Sequence, residues 1–252
     1  MKEIEISSVL GFLQELEKDT EEFDGLPLRD AHLFRGVSNS HEHKLIPAIG
    51  RNWSKELDEL LTLERSHLNL FKNLALPYID FRPSDDWDWL MLGQHHGLET
   101  RLLDWTTNPL VALYFACNNK SNSSDDGAVY RASGIKLFDP SKYDGSELPN
   151  PFKIDQNYRV MTPHISPRIT AQAATFTISK NPIEPLEFDI IGAEGRTNDK
   201  IIVKADAKKR ILRQLLDLNI GSSSLFPGLD GLCKELKEEL SLFKKIILSD
   251  SK

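Results

Sequence analysis

QHHGLETRLLDWTTNPLVALYFA, residues 94–116, sets a polar run against an almost unbroken apolar one. Asn108 followed by Pro109 reads as a helix start. The asparagine oxygen accepts from a free N–H of the first turn, and proline's missing N–H is not needed at the first helical position. The helix LVALYFAC that follows is apolar all round, which predicts burial on every side. On the other flank, Asp85 or Asp86 starts a helix carrying Trp87, Leu90 and Met91. Gly97 ends it, because glycine tolerates the left-handed backbone of a helix C-terminus. Leu98 to Thr107 then reads as a polar loop held between two apolar helices, the kind of supported segment on which function sits.

Working outward, His32 to Arg35 reads as a short strand closed by a turn at Gly36–Ser40. Ser54 caps a long helix whose stripe is Leu57, Leu60, Leu61, Leu68 and Phe71; Glu64 falls inside that stripe and needs a partner. Ser7 or Ser8 caps an earlier helix, with Val9, Phe12, Leu13 and Leu16 at helical spacing, ending before Asp24-Gly25. Lys120 to Asp126 is a solvated loop. Ala128–Phe138, Thr175–Ile178 and Lys200–Lys204 read as strands, and Ala207–Leu218 and Leu229–Phe243 as helices. Lys142 to Asp155 has no periodicity and two prolines, so it reads as a surface excursion. The sum is an α+β (mixed α/β) fold: a single domain over 1–252, with a mostly antiparallel central sheet flanked by helices.

At 252 residues, 40% hydrophobic and 27% charged, the chain can bury a sizeable core and is unlike a disordered one. A formal charge of -7 gives no global pull toward nucleic acid. The basic run Lys204 to Arg213 carries Ile211, Leu212 and Leu215 at helical spacing and reads as a solvated helix face, so nucleic acid is not the favoured partner. Cys117 and Cys233 lack the spacing of a zinc or redox motif, which fits a reducing, cytoplasmic setting. The N-terminus lacks a signal pattern, and no apolar run approaches a membrane span, so no membrane partner is expected.

Phe34-Arg35-Gly36 places a guanidinium where a strand meets a turn. Its donors suit a carboxylate or phosphate, and glycine lets the backbone come close. A structural arginine paired to an internal acid such as Glu64 explains the same three residues. Within the central block, Arg101 and Asp104 are three apart and pair with each other or across a site, and Trp105 offers a face for stacking. Ionic scaffolding explains them equally well. Of His95 and His96, one can serve as a general base, though a hydrogen-bonded structural histidine is the plainer reading. No acid or cysteine stands at a metal-ligand offset from them, so no metal is expected. Further on, Arg168 to Gln172 brings a side-chain amide to the start of a strand, where it suits a ribose or a water. Gly192 to Gly195 has neither the spacing nor the context of a nucleotide loop, and no hydrolase elbow, kinase set or HExxH sequence occurs.

Taken in order, these segments resemble the FRG-domain family, named for an aromatic-Arg-Gly motif. Phe34-Arg35-Gly36 with Leu45-Ile46-Pro47 and Arg51 is similar to its opening. Glu64 with Phe71, the block Gln94–Ala116, Arg168, Gln172 and Phe176, and the closing Ser224-Leu225-Phe226-Pro227 with Leu229-Asp230-Gly231-Leu232 follow. The resemblance spans about 31–240, with 1–30 as a lead-in and 241–252 as a tail. The chain departs from the family at Ser222 and Ser223, where an acid often precedes Leu-Phe-Pro, and at Gly228, where an Asp often follows. The family occurs in prokaryotic and phage-related settings, which implies a role in defence.

The aromatic-Arg-Gly strand is also similar to the opening motif of arginine-type ADP-ribosyltransferases, implying an NAD-dependent, ADP-ribosyltransferase-like enzyme with NAD as cofactor and an unknown macromolecular target. On that implication Arg35, Gly36, Gln94, His95, Arg101, Asp104, Trp105, Arg168 and Phe176 bind the nucleotide. Arg35 grips ribose or phosphate, Trp105 or Phe176 flanks the nicotinamide, and Gln172 with Glu64 or Asp230 stabilises the cationic ribose. The alternative is a non-catalytic sensor or adaptor binding a nucleotide, a peptide or RNA through the same arginines and Trp105. In a third reading these residues form only a buried ionic lattice.

Overall fold

The structure is a computed structural model and describes residues 2–18, 32–80, 83–118, 124–143, 147–161, 167–186 and 199–249. The helix end expected at Asp24-Gly25, part of the loop Lys120–Asp126, and Gly192–Gly195 lie outside the described residues. Eight strands form one sheet: β1 (Lys2–Ile6), β2 (His32–Val37), β3 (Leu102–Thr106), β4 (Gly127–Ser133), β5 (Leu137–Phe138), β6 (Tyr158–Val160), β7 (Ala174–Ile178) and β8 (Asp199–Val203). Their order is β1-β8-β4-β2-β3-β7-β6-β5, parallel at the two outermost pairs and antiparallel between. The described helices are α1 (Val9–Glu17), α2 (Leu57–Ala75), α3 (Asp86–His95), α4 (Pro109–Cys117), α5 (Pro167–Ala171), α6 (Lys208–Asp217), α7 (Ser222–Leu225) and α8 (Leu229–Ser249). The fold is α+β, a single open sheet with flanking helices.

Local chemistry accounts for several element ends. Ser8 accepts from the Gly11 N–H, Asp85 from Trp87 and Asp88, and Asn108 from Leu110. Gly97 has φ +91, the left-handed stop expected for it. Elsewhere tertiary context overrides the sequence reading. The polar loop expected at Leu98–Thr107 contains β3, buried at Leu102, Leu103, Trp105 and Thr106 with only Asp104 exposed. Both faces of this central strand are covered, so its sequence does not alternate. Ser54 does not cap α2, which begins after Glu56 without a side-chain cap. The strand expected over Ala128–Phe138 is two strands, interrupted where Gly134 takes φ +72. The excursion expected at Lys142–Asp155 buries Phe152 and Ile154 against α2 and α3 residues. The alternating β1 and the short β6 were not expected.

Three apolar clusters divide the molecule. One joins Phe34 of β2, Val129 of β4 and Ile201 of β8 to α1, α4 and α6. A second joins Leu102 of β3 and Phe176 of β7 to α2 and α3. The third, on the opposite face, is shared by both halves of the sheet through Leu33, Leu103, Trp105 and Tyr130. The halves meet where β2 and β3 pair at the single position Phe34↔Thr106, whereas β2 pairs β4 along its whole length from His32↔Ser133 to Val37↔Ala128. The sheet therefore parts at its centre. Among the described residues no helix is long and apolar enough to cross a membrane.

Candidate functional site

A cavity of about 540 Å³ opens where the two halves of the sheet part, within the size range of small-molecule sites. Strand β2 contributes Phe34, Arg35 and Gly36, and β3 contributes Asp104, Trp105 and Thr106. The end of α3 and the residues after it contribute Gln94, His95, His96 and Gly97. Val111 and Phe115 of α4, Arg168 and Ile169 of α5, Gln172, and Ala174 and Phe176 of β7 close the wall.

Arg35 spans the gap between the strands. Its Nη1 donates to the Asp104 carbonyl at 2.5 Å and lies 3.8 Å from the Asp104 carboxylate. Its side chain is 15% exposed, and its Nε is buried with no partner among the described residues. Burial holds the guanidinium below its ordinary pKa; Asp104 and Tyr130 oppose the shift, and Arg51 adds to it. Asp104 is further fixed by a relay. Thr100 Oγ1 receives the Leu102 N–H at 3.0 Å and donates to Gln94 Oε1 at 2.7 Å; Gln94 Nε2 then donates to Asp104 Oδ2 at 2.9 Å. Gln94 thereby presents its amide nitrogen to the carboxylate in a defined orientation. Across the cavity, Arg168 lies with its guanidinium 5.0 Å from the centre of the Phe226 ring. Burial lowers the pKa of the His95 imidazole, and the neighbouring Arg168 and His96 lower it further against the opposing pull of Asp104.

Several expected site residues lie elsewhere. Arg101 and Glu64, expected as cofactor-binding and catalytic, are buried together at 1% and 2% exposure away from the cavity wall. Glu64 accepts from the Arg101 backbone N–H at 2.9 Å and from Nη2 at 2.6 Å. The acid that the α2 stripe required a partner for thus pairs with Arg101 and not with Arg35. Asp230 is exposed in the first turn of α8 and does not line the cavity. Trp105 reaches the wall, but its ring packs in the opposite-face cluster and its Nε1 donates to Thr177 at 2.8 Å, so it offers no open stacking face. Gly36 meets α4: a Cβ there would overlap the Ala112 carbonyl oxygen. The motif glycine is required by strand–helix packing whatever a ligand needs.

The sequence reading missed Phe115, four residues after Val111 on one helix face. An apolar-all-round helix carries no periodic signal to separate a cavity face from a core face. Gln172 lines the cavity, and its amide nitrogen donates to the Leu225 carbonyl at 3.0 Å. It ties the wall to α7, where Phe226 meets Phe115 edge-on at 6.2 Å. Gln172→Ala is expected to leave that carbonyl short of a donor and cost about 1–3 kcal/mol, read as a drop in the denaturant midpoint with unchanged slope. Among the described residues no group of three His, Cys, Asp or Glu side chains is placed to hold a metal. Cys117 is buried, and burial pushes its thiol up to about 12.

No curated protein and no solved structure matches the chain. Residues 30–125 match the family model of the FRG domain. That segment holds β2, α2, α3, β3 and α4. It supplies the Arg35–Asp104–Gln94 side of the cavity and stops before Arg168, Gln172 and Phe176. With the aromatic-Arg-Gly strand at the parting of the sheet, this segment is similar to the FRG domain.

Proposed function

We propose that the cavity binds a nucleotide and that NAD is cleaved there at its nicotinamide–ribose bond, in an ADP-ribosyltransferase-like reaction. One observation carries the reading: Arg35, with a buried donor left over, lines the same cavity as Arg168, Asp104 and the partly buried Phe115, while Phe34 and Phe176 reach the wall from the apolar clusters. Guanidinium forks suit phosphate oxygens, rings suit a base, and a fixed carboxylate stabilises the positive charge that grows on a ribose as its glycosidic bond breaks. Asp104 takes the part first assigned to Glu64 or Asp230, because neither of those lines the cavity. The family resemblance adds a prokaryotic or phage conflict setting, with a macromolecule or water as acceptor.

A second reading, a nucleotide sensor without turnover, is favoured by the engagement of Asp104 with both Arg35 and Gln94. A carboxylate so committed can serve as scaffold alone. Purified protein incubated with NAD separates the two through nicotinamide release. The enzyme reading expects Arg35→Ala to weaken NAD binding about 10–100-fold, the worth of a charge-assisted hydrogen bond. It expects Asp104→Asn to lower kcat by about 10²–10³ with little change in binding. Tight NAD or ADP-ribose binding without any release establishes the sensor and sinks the enzyme.

A further inference from the structure

We infer that His95 is the general base of the reaction, taking the proton from the hydroxyl or water that attacks the ribose. The inference rests on the reading that NAD is cleaved in the cavity, and it goes beyond that reading by placing the acceptor on the α3 side.

Three observations converge on it. His95 lines the cavity from the last turn of α3, immediately after Gln94, whose amide is bound to Asp104. The imidazole and the carboxylate assigned to the ribose thus belong to the lining of one cavity, and Asp104 acts electrostatically on His95. The turn after His95 is fixed: Gly97 adopts φ +91, and the Leu98 N–H donates to the Gly93 carbonyl at 2.8 Å. The charged and titratable groups acting on His95 come from three elements: Arg168 of α5, Asp104 of β3 and its own neighbour His96, whose ring lies 5.0 Å away at 83°. Two of these are cationic or can become so, and burial acts in the same direction, so the ring stays neutral near pH 7 and can accept a proton.

The step balances. As the bond from C1′ to the nicotinamide nitrogen breaks, its electron pair stays on that nitrogen and neutral nicotinamide leaves. An acceptor oxygen forms the new bond to C1′, and its proton goes to His95 and then to solvent. With water as acceptor the products are ADP-ribose, nicotinamide and one proton.

The test follows nicotinamide release from NAD across pH 5–9, with ADP-ribose binding and thermal melting measured beside it. Wild-type kcat is expected to rise with pH through a value below the ordinary histidine pKa of about 6.5 and then level off, because only the neutral ring can accept the proton. His95→Gln is expected to keep its fold and its ADP-ribose affinity, to lose that acid limb, and to turn over about 10²–10⁴-fold more slowly. Added imidazole is expected to restore part of the rate in His95→Ala, which a merely structural role would not allow. If His95→Gln keeps the limb and the rate while Asp104→Asn is inactive, the inference falls and the cleavage reading stands. A wild-type protein that binds NAD without releasing nicotinamide overturns both.

Discussion

Gly36→Ala is expected to destabilise the protein by about 3 kcal/mol or more, at the upper end of what overpacking costs. A methyl group at this position would coincide with the Ala112 carbonyl oxygen and come within 2.8 Å of the Ala116 backbone nitrogen. Both are main-chain atoms in the interior of α4, so no side-chain rotation can make room. Either α4 lifts off β2 or the strand bends away. The first opens the cluster of Phe34, Val111 and Ala112, and the second breaks the continuous ladder that joins β2 to β4. For a chain of this length, such a loss lowers the melting temperature by about 6–12 °C, at roughly 2–4 °C per kcal/mol. Because β2 also carries Arg35, the NAD binding proposed above should weaken in the same variant. A melting temperature within a degree of wild type would show that strand and helix are less tightly apposed than the geometry requires.

Glu64→Ala and Arg101→Ala are each expected to cost about 3–5 kcal/mol, the penalty for stranding a buried charge. Arg101 loses three hydrogen bonds to one carboxylate when Glu64 is removed, two through its guanidinium and one through its backbone N–H. The guanidinium also lies 4.9 Å from the centre of the Phe152 ring and donates to the Pro151 carbonyl. The damage thus spreads to the segment that covers the second cluster. The double replacement Glu64→Leu with Arg101→Met removes both charges and should recover much of the loss. The nicotinamide release proposed above is expected, per folded molecule, to survive in the double variant. Its disappearance there, with melting restored, would return Glu64 to the catalytic role that the sequence suggested for it.

The sequence by itself determined the features whose causes are local. The caps at Ser8, Asp85 and Asn108-Pro109, the stop at Gly97 and the helical stripe of α2 depend on groups only a few positions apart, so they are legible in one dimension. The cavity residues Arg35, Gln94, His95, Asp104, Arg168, Gln172 and Phe176 were also marked by their residue types and family motif. Only the tertiary structure decided which of the charged residues pair. Glu64 could have met either arginine, and the choice of Arg101 follows from how α2 packs against the segment entering β3. The same holds for β3 itself, which reads as a polar loop until β2 and β7 flank it, and for Trp105, whose face is set by strand alternation that a loop lacks. The single-residue pairing of β2 with β3, on which the cavity depends, leaves no mark in either strand's sequence, because register belongs to the pair and not to either member.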